Sequence, residues 1–236
     1  TRNGNAVHTL ETFSHIRSTD WQWLRFGVEG DRLTFRLWDA AQDEPRQSWT
    51  GELRDSSVSG SGTMLMSAIE LSGGAPDAGG FTIGDLTMTD VNPTVLSNPF
   101  AGVDDGESWD STGRFFTAFG TGNSRPGEGA AIDVAGEQGR MSLSGARYSY
   151  ARADAEGSEL TDSEVLVRFK GEPGNDRRLR FWLRSDDWNS LAAPSNGYAV
   201  EIKTTSDPEA DNVQLLRVRQ GNSAWAMRGA RVDMDA

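Results

Sequence analysis

Cysteine is absent from this chain of 236 residues. Without thiols the protein forms no disulfide bond, uses no thiol nucleophile and offers no thiolate to a metal ion. Histidine is almost as scarce, because only His8 and His15 are present. We expect both in an irregular segment, and neither has the sequence context of a metal site or a catalytic triad.

Lysine is scarce as well, and the 35 Asp and Glu residues outnumber the 23 Lys and Arg residues. Lys170 and Lys203 are the only lysines, and the formal net charge is −12. Nucleic acids and anionic membranes both attract basic surfaces, so the composition argues against both as partners and leaves a neutral polysaccharide open. No apolar run approaches the ~18 residues that a membrane span needs, so we expect no membrane insertion. The chain begins in polar sequence at Thr1 without a signal peptide, and we expect it to be an internal piece of a longer protein.

Glycine is abundant, with 27 residues, which favours tight turns over long helices. Apolar and polar residues alternate with the strand period of two, most clearly at 21–28 and 33–38, which a glycine-containing turn joins. Further strands are predicted at 48–54, 63–71, 80–90, 139–144, 146–152, 162–170, 177–185, 197–204, 212–219 and 223–228. The pattern predicts an all-β fold, an antiparallel two-sheet sandwich.

Two segments lack this alternation. Residues 91–99 contain two prolines, each preceded by asparagine, and we expect a boundary without regular structure there. Residues 100–138 are rich in glycine and weakly patterned.

The apolar faces of the predicted strands define the expected core. We expect burial of Trp21, Phe26, Phe35, Leu37, Val165, Val167, Phe181, Leu183, Val200, Ile202, Leu216 and Val218. The tryptophans of the strands are also expected in the core or between the sheets, namely Trp21, Trp23, Trp38, Trp182 and Trp225. The charges of Arg177, Arg178 and Arg180 are expected on a solvent face.

Residues 21–54 carry the run WQWLRFGVEG, then a strand ending in Trp38, then Glu44-Pro45 followed by Trp49. This segment resembles the C-terminal half of laminin-G-like modules in minor tail proteins of actinobacterial phages, and residues 80–90 resemble the closing strand of that module. The positions that fit the family pattern are Trp21, Trp23, Leu24, Arg25, Phe26, Val28, Gly30, Leu33, Trp38, Glu44, Pro45 and Trp49.

Residues 98–228 resemble the N-terminal half of the same module, with Asn196, Gly197 and Tyr198 opening one of its strands. The opening segment NPFAGVDDGESWDSTG lacks the G-W-G run that is usual in the family. The order of the halves is therefore reversed: 1–93 is a C-terminal-type half and 94–236 is an N-terminal-type half. Either the chain is a slice across two neighbouring modules, or the two halves close into one permuted sandwich.

The resemblance implies a jelly-roll sandwich with a concanavalin-like or laminin-G-like fold, and a structural, adhesive role in the tail of a virion, outside the cell. The implied partners are other tail proteins and a host cell-surface polysaccharide, and a homo-oligomer is open. An alternative is a carbohydrate-binding module of a secreted bacterial protein. A polysaccharide hydrolase is a weaker alternative, because it requires two positioned carboxylates that no motif here supplies. We therefore expect no enzymatic activity.

Candidate ligand-binding residues are the aromatic residues of the apparent loops. Trp188 lies beside Asn189 in such a loop, and its ring could stack on a sugar while the amide bonds to hydroxyl groups. Trp109 is a second candidate of the same kind. The alternative for both indoles is that they fold back and close the core.

No cofactor is required by the sequence, but laminin-G-like modules often bind Ca²⁺ at one rim through carboxylate and carbonyl oxygens. Asp186 and Asp187, with Asn189, are one candidate ligand set, and Asp104 and Asp105 are another. No EF-hand spacing is present. The alternative is that these acids are solvated turn residues.

Overall fold

The structure is a computed structural model, and it describes residues 7–14, 20–46, 49–70, 80–90, 94–97, 100–109, 116–122, 132–142, 148–153, 159–171, 177–186, 188–190, 193–194, 196–204 and 211–219. These residues form seventeen β-strands and no helix. The strands are β1 (Val7–Ser14), β2 (Gln22–Glu29), β3 (Arg32–Asp39), β4 (Gly51–Arg54), β5 (Thr63–Glu70), β6 (Gly80–Asp90), β7 (Thr94–Ser97), β8 (Phe116–Gly122), β9 (Ile132–Ala135), β10 (Gln138–Ser142), β11 (Tyr148–Ala153), β12 (Ser163–Gly171), β13 (Arg177–Ser185), β14 (Trp188–Ser190), β15 (Ala193–Pro194), β16 (Gly197–Thr204) and β17 (Asn212–Val218). No helix in this part of the chain is long and apolar enough to cross a membrane.

Two antiparallel sheets make up the described fold. The seven-stranded sheet has the order β1-β17-β16-β13-β5-β11-β8. The eight-stranded sheet has the order β4-β3-β2-β12-β6-β10-β9, and β7 also pairs with β6. The strands β14 and β15 form a separate two-stranded ribbon. The predicted all-β, two-sheet antiparallel sandwich is confirmed, while its jelly-roll and laminin-G-like connectivity stays a prediction.

Both sheets contain strands from 1–93 and from 94–236, and the two sets are interleaved. In the eight-stranded sheet, β12 lies between β2 and β6 and pairs with both. In the seven-stranded sheet, β13 lies between β5 and β16. The central strands of each sheet therefore come from both parts of the chain. The assignment of each part to one half of a laminin-G-like module stays a prediction.

The β2–β3 hairpin forms where the sequence predicts it. Glu29 pairs with Arg32, so Gly30 and Asp31 are the two turn residues, and Gly30 has a φ of 56°. Positive φ is costly for residues with a Cβ, which is why a glycine suits this turn. The backbone N–H of Gly30 also donates to Asp162 Oδ1 at 2.8 Å, which ties the turn to the start of β12.

The main hydrophobic core lies between the two sheets. It joins Leu24 and Phe26 of the eight-stranded sheet to Phe181 and Leu183 of the seven-stranded sheet. Phe169 and Phe181 contact across the sandwich with ring centroids 6.2 Å apart. The expected core residues are buried except Trp21 and Leu37, which are half-buried.

A second hydrophobic cluster lies on the other face of the seven-stranded sheet. Its members are Leu65, Trp182, Ala199, Leu216 and Val218, and each is at least 98% buried. Since Phe181 and Leu183 face the main core, Trp182 between them must face the opposite side. The strand period thus assigns Leu216 and Val218 to this second cluster rather than to the main core.

The prediction that the arginines at the start of β13 face solvent is wrong for two of them. Arg177 is 2% exposed and Arg180 is 7% exposed, whereas Arg178 is half-buried. Arg180 lies opposite Glu201 in the β13–β16 register, and its Nε donates to Glu201 Oε2 at 2.6 Å. A buried guanidinium is tolerated when a carboxylate is placed beside it, and such a long-range pair has no local sequence signal.

Some strands form where the sequence predicted none, among them β8 and β9 within the weakly patterned segment 100–138. His8 lies in β1, which pairs with β17, and not in an irregular segment. The strand β7 forms inside the predicted boundary at 91–99 and pairs with β6. His15, Trp225 and the predicted strand at 223–228 lie outside the described residues.

The segment between β4 and β5 carries the chain from one sheet to the other, and polar bonds fix it. The Tyr198 hydroxyl donates to Asp55 and accepts from the backbone N–H of Val58 at 2.9 Å. Arg217 Nη1 donates to Asp55 Oδ2 at 2.6 Å. Burial, together with the Asp55 carboxylate, raises the pKa of Tyr198 to about 12, so this hydroxyl stays protonated at physiological pH.

Candidate functional site

The outward side of the eight-stranded sheet carries an unusual set of side chains. Leu24 and Phe26 of β2 point into the core, so Trp23, Arg25 and Gly27 lie on the opposite side, which we call the outer face. The register places Trp38, Arg36 and Thr34 of β3 directly beside them. The outer face therefore combines aromatic rings with charged and hydroxyl groups.

Tryptophans line one end of the outer face. The rings of Trp23 and Trp38 are stacked, with centroids 6.2 Å apart and planes 17° apart. The guanidinium of Arg168 on β12 lies 4.8 Å from the Trp21 ring centroid. Gly84 of β6 makes room for this packing, because a Cβ there would lie 3.2 Å from the Trp21 ring. Trp21 and Trp23 thus share a face, as predicted, but it is the outer face and both are half-buried.

The connection between β3 and β4 folds across the outer face, and we call residues 40–50 the strap, of which 47 and 48 lie outside the described residues. Glu44 of the strap accepts hydrogen bonds from Nε and Nη2 of Arg25, both at 2.8 Å. Arg36 Nη1 donates to the same carboxylate at 2.5 Å. The guanidinium of Arg36 also lies 4.5 Å from the ring centroid of Trp49. These contacts fix Trp49 over the sheet.

The charged groups of this network stabilise one another's ionised forms. Burial opposes the charge on Glu44, but the hydrogen bonds and charges of Arg25 and Arg36 outweigh it and hold the pKa of Glu44 below its ordinary value. Burial likewise opposes the charge on Arg25, and Glu44 and Glu164 outweigh it, so the pKa of Arg25 is raised. The strap is therefore held by charged groups throughout the physiological pH range.

A hollow of about 250 Å³ lies beside the strap. Gly27 contributes no side chain there, and it lies between Thr34 on β3 and Glu164 on β12 in the register. A Cβ on Gly27 would lie 3.3 Å from Thr34 Oγ1. A side chain at this position would therefore occupy part of the hollow, and glycine leaves that space open. The hollow is lined by Gly27, Val28, Glu29, Arg32, Thr34, Trp49, Thr89, Asp90, Ser163 and Glu164.

The lining of the hollow suits a small polyhydroxylated ligand. Two hydroxyl side chains, those of Thr34 and Thr89, supply groups that can both donate and accept hydrogen bonds. Trp49 supplies an apolar ring with a polar edge. The volume is slightly below the roughly 300–1,000 Å³ of typical small-molecule pockets, which fits one sugar unit better than a large cofactor.

The prediction that Trp109 stacks on a ligand is wrong, because its ring is fully buried. It packs on Phe100 with centroids 4.8 Å apart, and its Nε1 donates to the carbonyl oxygen of Asp133 at 2.8 Å. Both rings lie over Gly139, where a Cβ would collide with them. Trp109 closes one end of the core, which was the alternative interpretation.

The other predicted ligand-binding residues fall in the ribbon between β13 and β16. Trp188 and Asn189 belong to the short strand β14 rather than to a loop, and β14 pairs with β15. The side chains of Trp188 and Asn189 lie outside the described part of the structure. Their role in binding stays a prediction.

The predicted metal ligands are not brought together in the described residues. Asp104 and Asp105 are exposed, and Asp105 Oδ1 accepts from the backbone N–H of Gly136 at 2.6 Å. Asp186 bonds through both carboxylate oxygens to the backbone and side chain of Asn196.

Within the described residues no three acidic, histidine or cysteine side chains are placed to hold a metal ion. Asp187 lies outside those residues. A Ca²⁺ site that includes Asp187 stays a prediction.

The hollow was not anticipated from the sequence. Trp49 and Glu44 belong to the family-like pattern, but Gly27, Thr89 and Glu164 come from three separate strands. The signal that was present is the glycine at position 27, an outward position in an otherwise bulky strand.

The comparison with protein-family models finds no match to this chain. The comparison with curated proteins finds no significant match either.

Proposed function

We propose that the chain is a non-enzymatic adhesive module of a phage tail that binds a host-surface glycan through the outer face of the eight-stranded sheet. The resemblance of residues 21–54 and 98–228 to laminin-G-like tail modules supports the tail role, with other tail proteins as neighbours outside the cell. The hollow beside the strap supports the glycan.

The observation that carries the glycan proposal is the position of Trp49 at a hollow rich in hydroxyl and carboxylate groups. Sugars present apolar C–H faces to aromatic rings and hydroxyl groups to polar side chains, so a site for them needs both. Trp49 is fixed by Arg36, which in turn is fixed by Glu44. The site is therefore formed before any ligand binds, which lowers the entropic cost of binding.

A binding role fits the hollow better than hydrolysis. A glycosidase uses two carboxyl groups on either side of the bond, one of which donates a proton. Of the three carboxylates that line the hollow, Glu164 already accepts a hydrogen bond from Arg25. Its engagement with the guanidinium supports a structural use of this carboxylate.

Replacing the aromatic wall of the hollow tests the proposal. We expect Trp49→Ala to weaken binding to neutral polysaccharide at least tenfold, about 1.4 kcal/mol, because the stacking surface is lost. Affinity electrophoresis in gels that contain soluble glucan, mannan or galactan measures this effect. The matched control is Arg140→Ala, which removes an exposed side chain paired with Asp133 elsewhere on the same sheet and should leave retardation unchanged.

Two results would contradict the glycan proposal. One is that none of these neutral polysaccharides retards the unmodified protein. The other is that Trp49→Ala, shown to be folded by circular dichroism, binds as tightly as the unmodified protein.

A further inference from the structure

The outer face continues beyond the hollow along β12 and β6. Glu164, Leu166 and Arg168 of β12 all lie on the outer face, because the intervening Val165 and Val167 are buried in the core. Leu166 lies opposite Thr87 in the register, and both are half-buried. We call Leu166, Thr87, Arg168, Asp85 and Trp21 the track.

The described anchors of the strap lie on β2 and β3 rather than on the track. Glu44 of the strap bonds to Arg25 on β2 and Arg36 on β3. The track lies on the neighbouring strands β12 and β6, where Leu166, Thr87 and Asp85 keep partial exposure. A path over the sheet therefore runs from the hollow, along β12, to Trp21.

The length of this path exceeds one sugar unit. Glu164 at the hollow and Arg168 beneath Trp21 are four residues apart on one strand, which corresponds to about 13 Å. Trp21 at the far end is half-buried, so part of its indole is open to solvent. The path therefore has an aromatic ring at each end, Trp49 at the hollow and Trp21 on the track.

The charges along this path disfavour an anionic ligand. The hollow is lined by three carboxylates, Glu29, Asp90 and Glu164, and by one guanidinium, that of Arg32. Arg32 already bonds to Glu52 at 2.8 Å. On the track, Arg168 is paired with Asp85 at 3.0 Å. A chain of uronic acids or phosphates would meet these carboxylates without a surplus of positive charge.

We propose that the ligand is an internal stretch of a linear, uncharged polysaccharide, which lies along the track with one unit in the hollow and another against Trp21. This inference rests on the proposed glycan binding and specifies the class of glycan. It requires that affinity rises with chain length until the ligand spans both tryptophans. It also requires that Trp21 contributes to the binding of long ligands and not to the binding of short ones.

A length series tests the inference. Oligosaccharides from disaccharide to octasaccharide are prepared from the glucan, mannan or galactan that retards the protein most, and their affinities are measured by calorimetry. We expect at least a tenfold gain from disaccharide to octasaccharide. Trp21→Ala should remove that gain and leave disaccharide affinity unchanged, whereas Trp49→Ala should weaken both. Leu166→Glu, which changes an outward position of the track, should reproduce the Trp21→Ala result.

The outcomes separate this inference from the proposed function. If disaccharide and octasaccharide bind equally and Trp21→Ala and Leu166→Glu have no effect, the extended track is wrong while the hollow remains a glycan site. Tighter binding of polygalacturonate than of the neutral chain would overturn the uncharged class. If no neutral polysaccharide binds at all, the proposed function and this inference are wrong together.

Discussion

Residues 1–93 and residues 94–236, produced as separate chains, are expected to be unfolded alone and to regain β-structure when they are mixed. The reason is the position of two strands. β12 completes the eight-stranded sheet between β2 and β6, and β13 completes the seven-stranded sheet between β5 and β16. Each fragment alone would expose open strand edges and one side of the core, which favours unfolding or aggregation.

Circular dichroism and size-exclusion chromatography of the two fragments, alone and mixed, measure this effect. The matched control is the full chain with a protease site inserted between residues 91 and 93, cleaved after folding. We expect the cleaved protein to elute as one particle with the β-structure of the intact chain. If each fragment folds alone as a monomer and mixing changes neither, the shared sandwich is wrong.

Glu201→Ala is expected to lower the free energy of unfolding by about 3 kcal/mol or more, because it breaks a buried ion pair. Glu201 is fully buried and accepts from Arg180 at 2.6 Å, and Arg178 lies 3.5 Å from the same oxygen. Burial lowers the pKa of Arg180, against the opposing effect of Glu201. Removing the carboxylate leaves the charge of Arg180 in a buried position without that compensation. Urea denaturation followed by tryptophan fluorescence measures the loss.

Two further variants identify the ion pair as the cause. Lys203→Ala changes the next outward residue of the same strand, which is half-buried, and should alter stability by less than about 0.5 kcal/mol. The double variant Arg180→Met with Glu201→Leu should recover most of the loss, since apolar replacements of a buried pair are often neutral. A Glu201→Ala protein as stable as the unmodified chain would show that the pair contributes nothing.

The strands with regular alternation were predictable, and the irregular ones were not. The β2–β3 hairpin follows directly from apolar alternation around Gly30. In β1 the register shifts between Thr9 and Glu11, so Leu10 is an extra residue opposite β17. Leu10 and Phe13 both pack against the core although they are three residues apart. A bulge of this kind breaks the period of two on which the prediction depends.

The position of the site could be predicted only in part. Period two shows that Trp21 and Trp23 share a face, but bulky apolar residues occur on both sides of β2, Trp23 on one and Leu24 and Phe26 on the other. The presence of tryptophan therefore does not identify the core side. The polar residues next to Trp109 in the sequence are typical of an exposed loop. Its ring is nevertheless buried, because it packs on Phe100 and over Gly139 of β10, which is distant in sequence. The hollow itself exists only after β2, β6 and β12 are aligned, and no local pattern encodes that alignment.

The most direct test of the glycan-binding outer face uses the tryptophan indoles as internal reporters. Their N–H resonances are followed by NMR during titration with the octasaccharide of the neutral polysaccharide that binds. We expect the Trp49 and Trp21 resonances to shift with a common affinity, while those of Trp109 and Trp182, which are fully buried, stay in place. Shifts confined to the other indoles, with Trp49 unchanged at saturation, would contradict the account.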